Sequence, residues 1–182
     1  PYGKLYQWGR KYGQGYSSEY DVTEPTLSAG PISRKSGESA DNANVFYTVS
    51  ASPYDWLAPQ EDNLWNSGSE AVPVKTQYDP CPDGWRVPTY AELDALNDYY
   101  MYNSTNTAGQ RGTKLYGRYR QQDDAPSVFL PYAGLRDHYG DPRNRSSYSG
   151  YWSSKAYVRN SYMGSRYLYL GGNSADIYSD NR

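Results

Sequence analysis

Residues 79–100 have the sequence DPCPDGWRVPTYAELDALNDYY, in which strong backbone punctuation comes directly before a helical pattern. Proline fixes φ and cannot donate a backbone hydrogen bond, so the prolines at 80, 82 and 88, together with Gly84, favour extended or turn backbone. We therefore predict an irregular loop up to Pro88 and a change to regular structure immediately after it.

A helix is predicted to begin at Thr89 and to end near Tyr102. The Thr89 hydroxyl can accept a hydrogen bond from the amide of Glu92 while the Glu92 carboxylate reaches back to the amide of Thr89, the arrangement called a capping box. Three large side chains then fall on one face at spacings typical of an amphipathic helix, namely Leu93, Leu96 and Tyr100.

The rest of the chain is predicted to form short strands separated by turns and long loops. Residues 44–50, NVFYTVS, are one strand candidate. Residues 127–134, SVFLPYAG, are the most apolar strand, which we expect to be central in a sheet. Residues 21–44 are rich in Ser, Pro, Gly, Asp and Asn and indicate a surface loop. The side chains expected to be buried anchors are Leu5, Tyr6, Trp8, Trp56, Trp65, Trp85 and Trp152.

Length and composition indicate one folded domain, residues 1–182. The chain has only two Phe but five Trp and 23 Tyr, so the apolar area available for a core is largely aromatic. The formal net charge is −2 with both signs interspersed, which gives no electrostatic surface typical of binding to nucleic acid or to an anionic membrane. No apolar stretch approaches the roughly 20 residues of a membrane-spanning helix, so direct membrane insertion is not predicted.

Cys81 is the only cysteine, so no disulfide can form within the chain, and ligands for a cysteine-based metal site are not clustered around it. We therefore predict no metal and no cofactor. The chain begins at Pro1 without a signal-peptide pattern, and we expect it to be a fragment of a longer protein.

Several motifs occur in an order that resembles one bacterial family. LYQWGRKYGQGY lies at residues 5–16 and YDPCPDGWRVPTYAEL at residues 78–93, and they are followed by LPYAGLRD, GYWSS and SRYLYL. Together they resemble the Fibrobacter succinogenes major paralogous domain, which is common in Bacteroidetes surface proteins. Family members usually finish with a further strand containing a Gly-Phe-Ser-Val-Arg-like segment, which does not occur up to Arg182.

The resemblance implies a C-type-lectin-like fold of the α+β class, with short antiparallel strands, one or two helices and long loops. It also implies a location outside the cell or on the cell surface, or alternatively on a phage particle. Residues 134–182, within this resemblance, look like the variable region of proteins diversified by retroelements that mutate adenines in selected codons. An AAC or AAT codon mutated in this way yields Asn, Asp, Ser, Tyr, Gly, His or Arg among its outcomes.

Residues 134–182 contain eight Tyr, nine Ser, six Arg and four Asn, which are residue types that binding loops use for rigid contact area and adaptable hydrogen bonds. Gly150, Tyr151, Trp152, Ser153, Ser154, Leu168 and Leu170 are expected to be scaffold instead. The predicted ligand-binding residues are Tyr139, Asp141, Arg143, Asn144, Arg145, Tyr148, Tyr157, Arg159, Asn160, Tyr162, Arg166, Tyr167, Asn173, Asp176 and Tyr178.

These observations predict a non-enzymatic domain that binds a protein or glycan ligand on another cell or surface and is attached to a larger surface fibre. The alternative is a structural subunit or tip component of a surface fibre or phage tail with a fixed interface. A fixed interface has few charges at its centre, whereas residues 134–182 carry six Arg and four Asp, which favours recognition of a ligand.

Three further functions are disfavoured because each lacks required residues. GRKYGQG at residues 9–15 lacks the glycine spacing and the terminal Lys-Ser/Thr of a phosphate-binding loop. His138 lies beside Asp137 in a polar loop, whereas a catalytic relay needs a buried histidine that a third group orients. The triplets nearest to those of calcium-dependent lectins, EPT at residues 24–26 and WNS at residues 65–67, each lack a calcium ligand.

Overall fold

The computed structural model describes residues 2–16, 24–34, 39–106, 108–116, 126–159, 162–172 and 174–180, with the backbone alone at 97, 100, 102, 103, 158, 159, 162 and 163. Short β-strands make up most of the regular structure, and little of it is helix, which is compatible with the α+β class. The strands are β1 (Thr26–Ala29), β2 (Val45–Thr48), β3 (Tyr100–Thr105), β4 (Arg111–Tyr116), β5 (Ser127–Pro131), β6 (Leu135–Arg136), β7 (Pro142–Arg143), β8 (Tyr148–Arg159), β9 (Tyr162–Gly171) and β10 (Ser174–Asp180).

Within the described ranges these strands form four small sheets. β1 pairs with β2 in parallel, and β6 pairs with β7 in antiparallel orientation. β3, β4 and β5 form an antiparallel sheet with β4 in the middle, and β8, β9 and β10 form another with β9 in the middle. The register of β8 against β9 shifts between Trp152 and Ala156, as a β-bulge would cause.

One strand prediction is confirmed and one is wrong. β2 lies within residues 44–50, as predicted. The apolar run at residues 127–134 contains β5, but β5 lies at the edge of its sheet, and Val128 is 59% exposed. Ser127 and Val128 at the start of β5 are exposed, whereas Phe129, Leu130 and Pro131 are half-buried and Leu130 packs against a core cluster, so burial increases along the strand. Proline cannot donate to a strand ladder, and Pro131 at the end of β5 suits this edge position.

The predicted capping box is confirmed at the start of helix α1 (Tyr90–Asp94). The amide of Glu92 donates to the Thr89 hydroxyl, and the amide of Thr89 donates to the Glu92 carboxylate at 2.8 Å. Two guanidinium N–H groups of Arg86 also donate to Glu92, at 2.7 and 2.6 Å. The hydrogen bonds from Arg86, ahead of those from Thr89, lower the pKa of Glu92 to about 2.

The predicted end of the helix near Tyr102 is wrong. α1 ends at Asp94, a 3₁₀ turn covers Ala95–Asp98, and the chain then enters β3 at Tyr100. Residues 100–105, YMYNST, consist of aromatic or short polar types apart from Met101, and such types favour strands and turns over helix interiors. They pair with β4 over six positions. Leu93 still faces the core as predicted, with 4% of its surface exposed.

A first core cluster is built around three tryptophans that the sequence predicted as anchors. Trp8, Trp56 and Trp65 are at most 2% exposed, and they pack with Tyr47, Val49, Leu57, Leu64 and Val87. Each indole N–H donates to a backbone carbonyl: Trp8 to Ser153 at 2.8 Å, Trp56 to Trp8 at 2.8 Å and Trp65 to Arg10 at 3.1 Å. Each buried indole N–H of this cluster therefore has a hydrogen-bond acceptor.

Trp85 is not a buried anchor, and the prediction that it is one is wrong. Its indole is 72% exposed, because Trp85 lies in a turn in which its amide donates to the carbonyl of Pro82. The neighbouring Val87 takes the place in the core. Tyr6 and Leu5 are half-buried, and Trp152 is half-buried with its indole N–H donating to the carbonyl of Tyr6 at 2.9 Å.

The loop that carries Trp85 is organised by the buried carboxylate of Asp79. Asp79 is 2% exposed and accepts hydrogen bonds from the amides of Cys81 and Val87, each at 2.8 Å. The Lys75 ammonium pairs with the same carboxylate at 2.7 Å and also donates to the carbonyl of Cys81. This carboxylate therefore fixes the backbone between the prolines that precede α1.

Candidate functional site

The sheet of β8, β9 and β10 has two chemically different faces because alternate residues of a strand point to opposite sides. Leu168 and Leu170 are 0% exposed and form a second core cluster with Leu93 and Tyr132. The β8 and β10 positions opposite them, Tyr151, Ala175 and Ile177, pack against the same cluster. The intervening positions therefore point to the other face.

That other face carries four tyrosines in mutual contact, which we call the tyrosine face: Tyr148, Tyr167, Tyr169 and Tyr178. The ring centroids of Tyr148 and Tyr169 lie 5.1 Å apart, and those of Tyr169 and Tyr178 lie 5.5 Å apart. The ring centroid of Tyr167 lies 6.2 Å from that of Tyr178 and 5.4 Å from that of Trp152. Trp152 is the β8 residue directly opposite Tyr167. These distances are typical of favourable tilted and edge-to-face aromatic pairs.

Two glycines make room for the rings. A Cβ on Gly150 would lie 2.8 Å from a ring carbon of Tyr167, and a Cβ on Gly171 would lie 2.8 Å from the hydroxyl of Tyr169. Both glycines point to the tyrosine face by strand alternation. The absence of side chains at these positions lets the rings lie flat over β8 and β9.

The tyrosine face is open at β10 and more enclosed at β8. Tyr178 is 50% exposed, while the other three rings are half-buried. The side-chain amide of Asn144 donates to the hydroxyl of Tyr148, and burial, with the nearby Tyr169, raises the pKa of that hydroxyl. Asp176 is exposed and lies directly opposite Tyr169 across the strand pair. The face therefore presents aromatic surface together with a carboxylate.

Part of the predicted ligand-binding set meets at this face. Tyr148, Tyr167, Asp176 and Tyr178 lie on it, and Asn144 reaches it through its bond to Tyr148. The structure brings these five residues together from a loop and three strands. Asn160 and Asn173 lie outside the described residues, as do the side chains of Arg159 and Tyr162.

The other predicted ligand-binding residues of the loop at residues 139–145 contact neighbouring parts of the chain. Arg143 pairs with Asp137 at 2.5 Å, and the amide of Asp141 donates to Asp137 at 3.0 Å. Arg145 is half-buried and lies over the rings of Tyr2 and Tyr16, at 4.9 and 4.7 Å from their centroids. Arg145 therefore fastens the N-terminal segment to this loop instead of extending into solvent. Tyr139 is 54% exposed and stacks against His138.

Tyr157 and Arg166 belong to a different part of the sheet. The Arg166 guanidinium lies between the rings of Tyr90 and Tyr157, 4.0 Å from each centroid. Tyr90 is the first residue of α1, so this stack joins the helix to the far end of β8 and β9. These two predicted residues therefore lie against the helix and apart from the tyrosine face.

Tyr169 is the tyrosine of the face that the sequence prediction missed. The segment YLYL at residues 167–170 alternates tyrosine with leucine, and Leu168 and Leu170 were expected to be scaffold. Strict alternation along a strand places Tyr169 on the same side as Tyr167. Applying that period to β9 would have identified both rings.

The His138–Asp137 pair is built into a turn. The two amides of Tyr139 and Asp141 donate to one Asp137 oxygen at 3.0 Å each, while Arg143 engages the other oxygen. The His138 ring lies between the rings of Tyr54 and Tyr139, at 5.0 and 4.1 Å. Asp137 thus holds the turn together.

An apolar cleft of about 740 Å³ lies beside the sheet. Its walls include the N-terminal segment, residues 2–8, and the β8 residues 149–152, with Cys81 at its border. Burial, together with the nearby Asp79 carboxylate, raises the pKa of the Cys81 thiol. The surface of the cleft is mainly apolar, and the charged residues Lys4, Arg136, Asp137 and Asp180 also line it.

No group of three or more His, Cys, Asp or Glu side chains among the described residues is arranged to hold a metal ion. No helix within the described ranges has the length and apolar character needed to cross a membrane.

Comparison with known proteins adds no assignment to this geometry. No protein-family model, no curated protein and no solved structure matches the chain. The tyrosine face, its bordering carboxylate and the apolar cleft are therefore the features on which a functional assignment must rest.

Proposed function

We propose that this chain is a non-enzymatic ligand-binding domain that displays a diversified surface, rich in Tyr, Ser, Asn and Arg, within residues 134–182. The observation that carries the proposal is the tyrosine face, where four rings in contact cover one side of a sheet whose opposite side is core. Rings held on paired strands lose little conformational entropy when a ligand binds, so their contact area contributes efficiently to affinity.

The proposed scaffold is a single C-type-lectin-like domain. The family resemblance of the motifs supports this proposal, together with the short strands, the short α-helix after the CPDGWRVP loop and the antiparallel C-terminal sheet. The ligand is a protein or glycan on another cell or surface. The proposed location is extracellular or on the cell surface, or alternatively on a phage particle.

A structural subunit of a surface fibre or phage tail is the second candidate. The apolar cleft between residues 2–8 and 149–152 favours it, because fixed subunit interfaces bury mainly apolar surface. The tyrosine face favours the binding domain instead, since its rings alternate with an exposed carboxylate at Asp176 and carry hydroxyl groups at their rims.

A stability measurement tests whether the tyrosine face is displayed surface. Replacing Tyr169 and Tyr178 together by Ser is expected to lower the free energy of unfolding by less than about 2 kcal/mol, because this removes aromatic pairs at a partly exposed site. Leu168→Ala, on the opposite face of the same strand, is expected to cost about 3–5 kcal/mol because its side chain is fully buried. Urea unfolding followed by circular dichroism measures both losses. Equal losses would mean that the tyrosines are core residues, and the proposed function would fail.

A further inference from the structure

The described charged residues that β8, β9 and β10 place on the tyrosine face are carboxylates, and Arg143 in the preceding loop lies near Tyr148 at its edge. The described positions of the face run through β8 residues 148–152, β9 residues 167–171 and β10 residues 174–180, and strand alternation places Asp176 and Asp180 on it. Both carboxylates are exposed, and no Lys or Arg occupies a described position of this face in those three segments. The face therefore combines π-systems with negative charge.

Asp176 and the rings are close enough to act on one ligand group. Asp176 lies opposite Tyr169 in the register of β9 and β10, where Cβ atoms of directly paired residues are about 5 Å apart. Tyr178 follows two residues later on the same side of β10, and its ring contacts that of Tyr169 at 5.5 Å between centroids. A cation over the exposed part of the Tyr178 ring would thus lie on the same side of β10 as the Asp176 carboxylate.

Elsewhere the chain stacks its own arginines on tyrosine rings. The guanidinium of Arg34 lies 3.7 Å from the ring centroid of Tyr78, and that of Arg166 lies 4.0 Å from the ring centroids of Tyr90 and Tyr157. Within the described residues, no cation of the chain lies over the ring of Tyr169 or Tyr178. The half-exposed ring of Tyr178 and the half-buried ring of Tyr169 therefore carry no cation from the described part of the chain.

We infer that the tyrosine face recognises a basic segment of a protein partner, whose Arg or Lys side chains bind over Tyr169 and Tyr178 and beside Asp176. The inference rests on the proposed function and adds the chemical class of its ligand. The negative quadrupole of each ring face attracts a cation, and the neighbouring carboxylate adds a charge-assisted contact. A neutral glycan would stack on the rings and donate hydroxyl hydrogen bonds to the carboxylate, but it would bring no positive charge to the ring faces.

Fluorescence anisotropy with the whole chain tests this chemistry. The probe is a labelled extended peptide of alternating Arg and Ser, and the matched probe has citrulline, which keeps the shape of arginine without its charge, in place of each Arg. We expect the Arg peptide to bind at least about five-fold more tightly, as cation–π attraction at an exposed site predicts. Equal affinity for the two peptides, or binding of neither, overturns the inference.

Four variants locate the binding. Tyr178→Ser and Asp176→Asn are each expected to weaken binding of the Arg peptide about five-fold, because each removes one attractive group. Tyr99→Ser and Asp83→Asn remove an exposed tyrosine and an exposed aspartate outside the sheet of β8, β9 and β10, and they should leave the affinity unchanged. Equal weakening by all four variants would mean attraction to overall charge and would also overturn the inference.

The experiments distinguish a wrong ligand class from a wrong proposed function. If the Tyr169 and Tyr178 double variant keeps its stability but the Arg peptide does not bind, the cationic class is wrong and the proposed binding domain stands. If the double variant loses as much stability as Leu168→Ala, the proposed function fails with it.

Discussion

Trp56→Ala is expected to lower the free energy of unfolding by about 3–5 kcal/mol, the range for removing a large aromatic side chain from a core. Trp56 is 0% exposed and stacks on Tyr47 with 6.1 Å between ring centroids. Its indole N–H donates to the carbonyl of Trp8 at 2.8 Å, so the substitution also leaves that buried acceptor without this partner. Because small domains are stable by only about 5–15 kcal/mol, the variant should unfold at much lower urea concentration.

Trp85→Ala is the matched control for this prediction. Both substitutions remove the same atoms, but the Trp85 side chain is 72% exposed, so its loss should change the stability by no more than about 0.5 kcal/mol. Urea unfolding followed by circular dichroism avoids dependence on the tryptophan fluorescence that each variant changes. Losses of similar size in the two variants would contradict the assignment of the core to Trp56 and its neighbours.

Asp79→Ala is expected to cost about 3 kcal/mol, because it removes the acceptor of a buried, charge-assisted network. The substitution leaves the amides of Cys81 and Val87 without their acceptor and leaves Lys75 with only the carbonyl of Cys81. Asp79→Asn should recover part of the loss, since an amide oxygen can still accept one of these bonds.

Asp83→Ala, in the same loop, provides the comparison for Asp79. The Asp83 side chain is exposed, and its removal should change the free energy of unfolding by at most about 0.5 kcal/mol. If thermal or urea unfolding gave the same value for both alanine variants, the buried carboxylate would not be organising the loop that precedes α1.

Local signals predicted those parts of the fold that depend on neighbours in sequence. The capping box needs only Thr89 and Glu92 three residues apart, and the tryptophan anchors need only large apolar area. Both were predictable for that reason. The end of α1 was not, because Tyr100–Thr105 forms a strand through pairing with β4, a contact between segments that periodicity within one segment does not show.

Trp85 and the run SVFLPYAG illustrate the same limit for burial. Composition predicts how much apolar area a segment has, but the turn at Pro82 and the edge position of β5 decide which side chains face solvent. Composition predicted part of the candidate site, since four of the predicted ligand-binding residues lie on the tyrosine face. Arg166 lies elsewhere because strand alternation places it on the same side of β9 as Leu168, where it contacts Tyr157 and Tyr90 of α1.

Alternation along β9 places core residues on one side of the strand and the residues of the tyrosine face on the other. Leu168 and Leu170 hold the sheet on the core, while Tyr167 and Tyr169 point away from it. Under the proposed function, substitution on the tyrosine side would alter the ligand that is bound while the core contacts of Leu168 and Leu170 remain. Such an arrangement is what a diversified binding surface requires.

Sequencing the encoding locus from many related isolates tests this separation most directly. We expect adenine-directed codon changes in residues 134–182 to concentrate at the tyrosine-face positions and at exposed loop positions such as Asn144, with Trp152, Leu168 and Leu170 unchanged. A region that does not vary, or changes that fall equally on Leu168 and Tyr169, would contradict a diversified binding surface and would favour a structural subunit with a fixed interface.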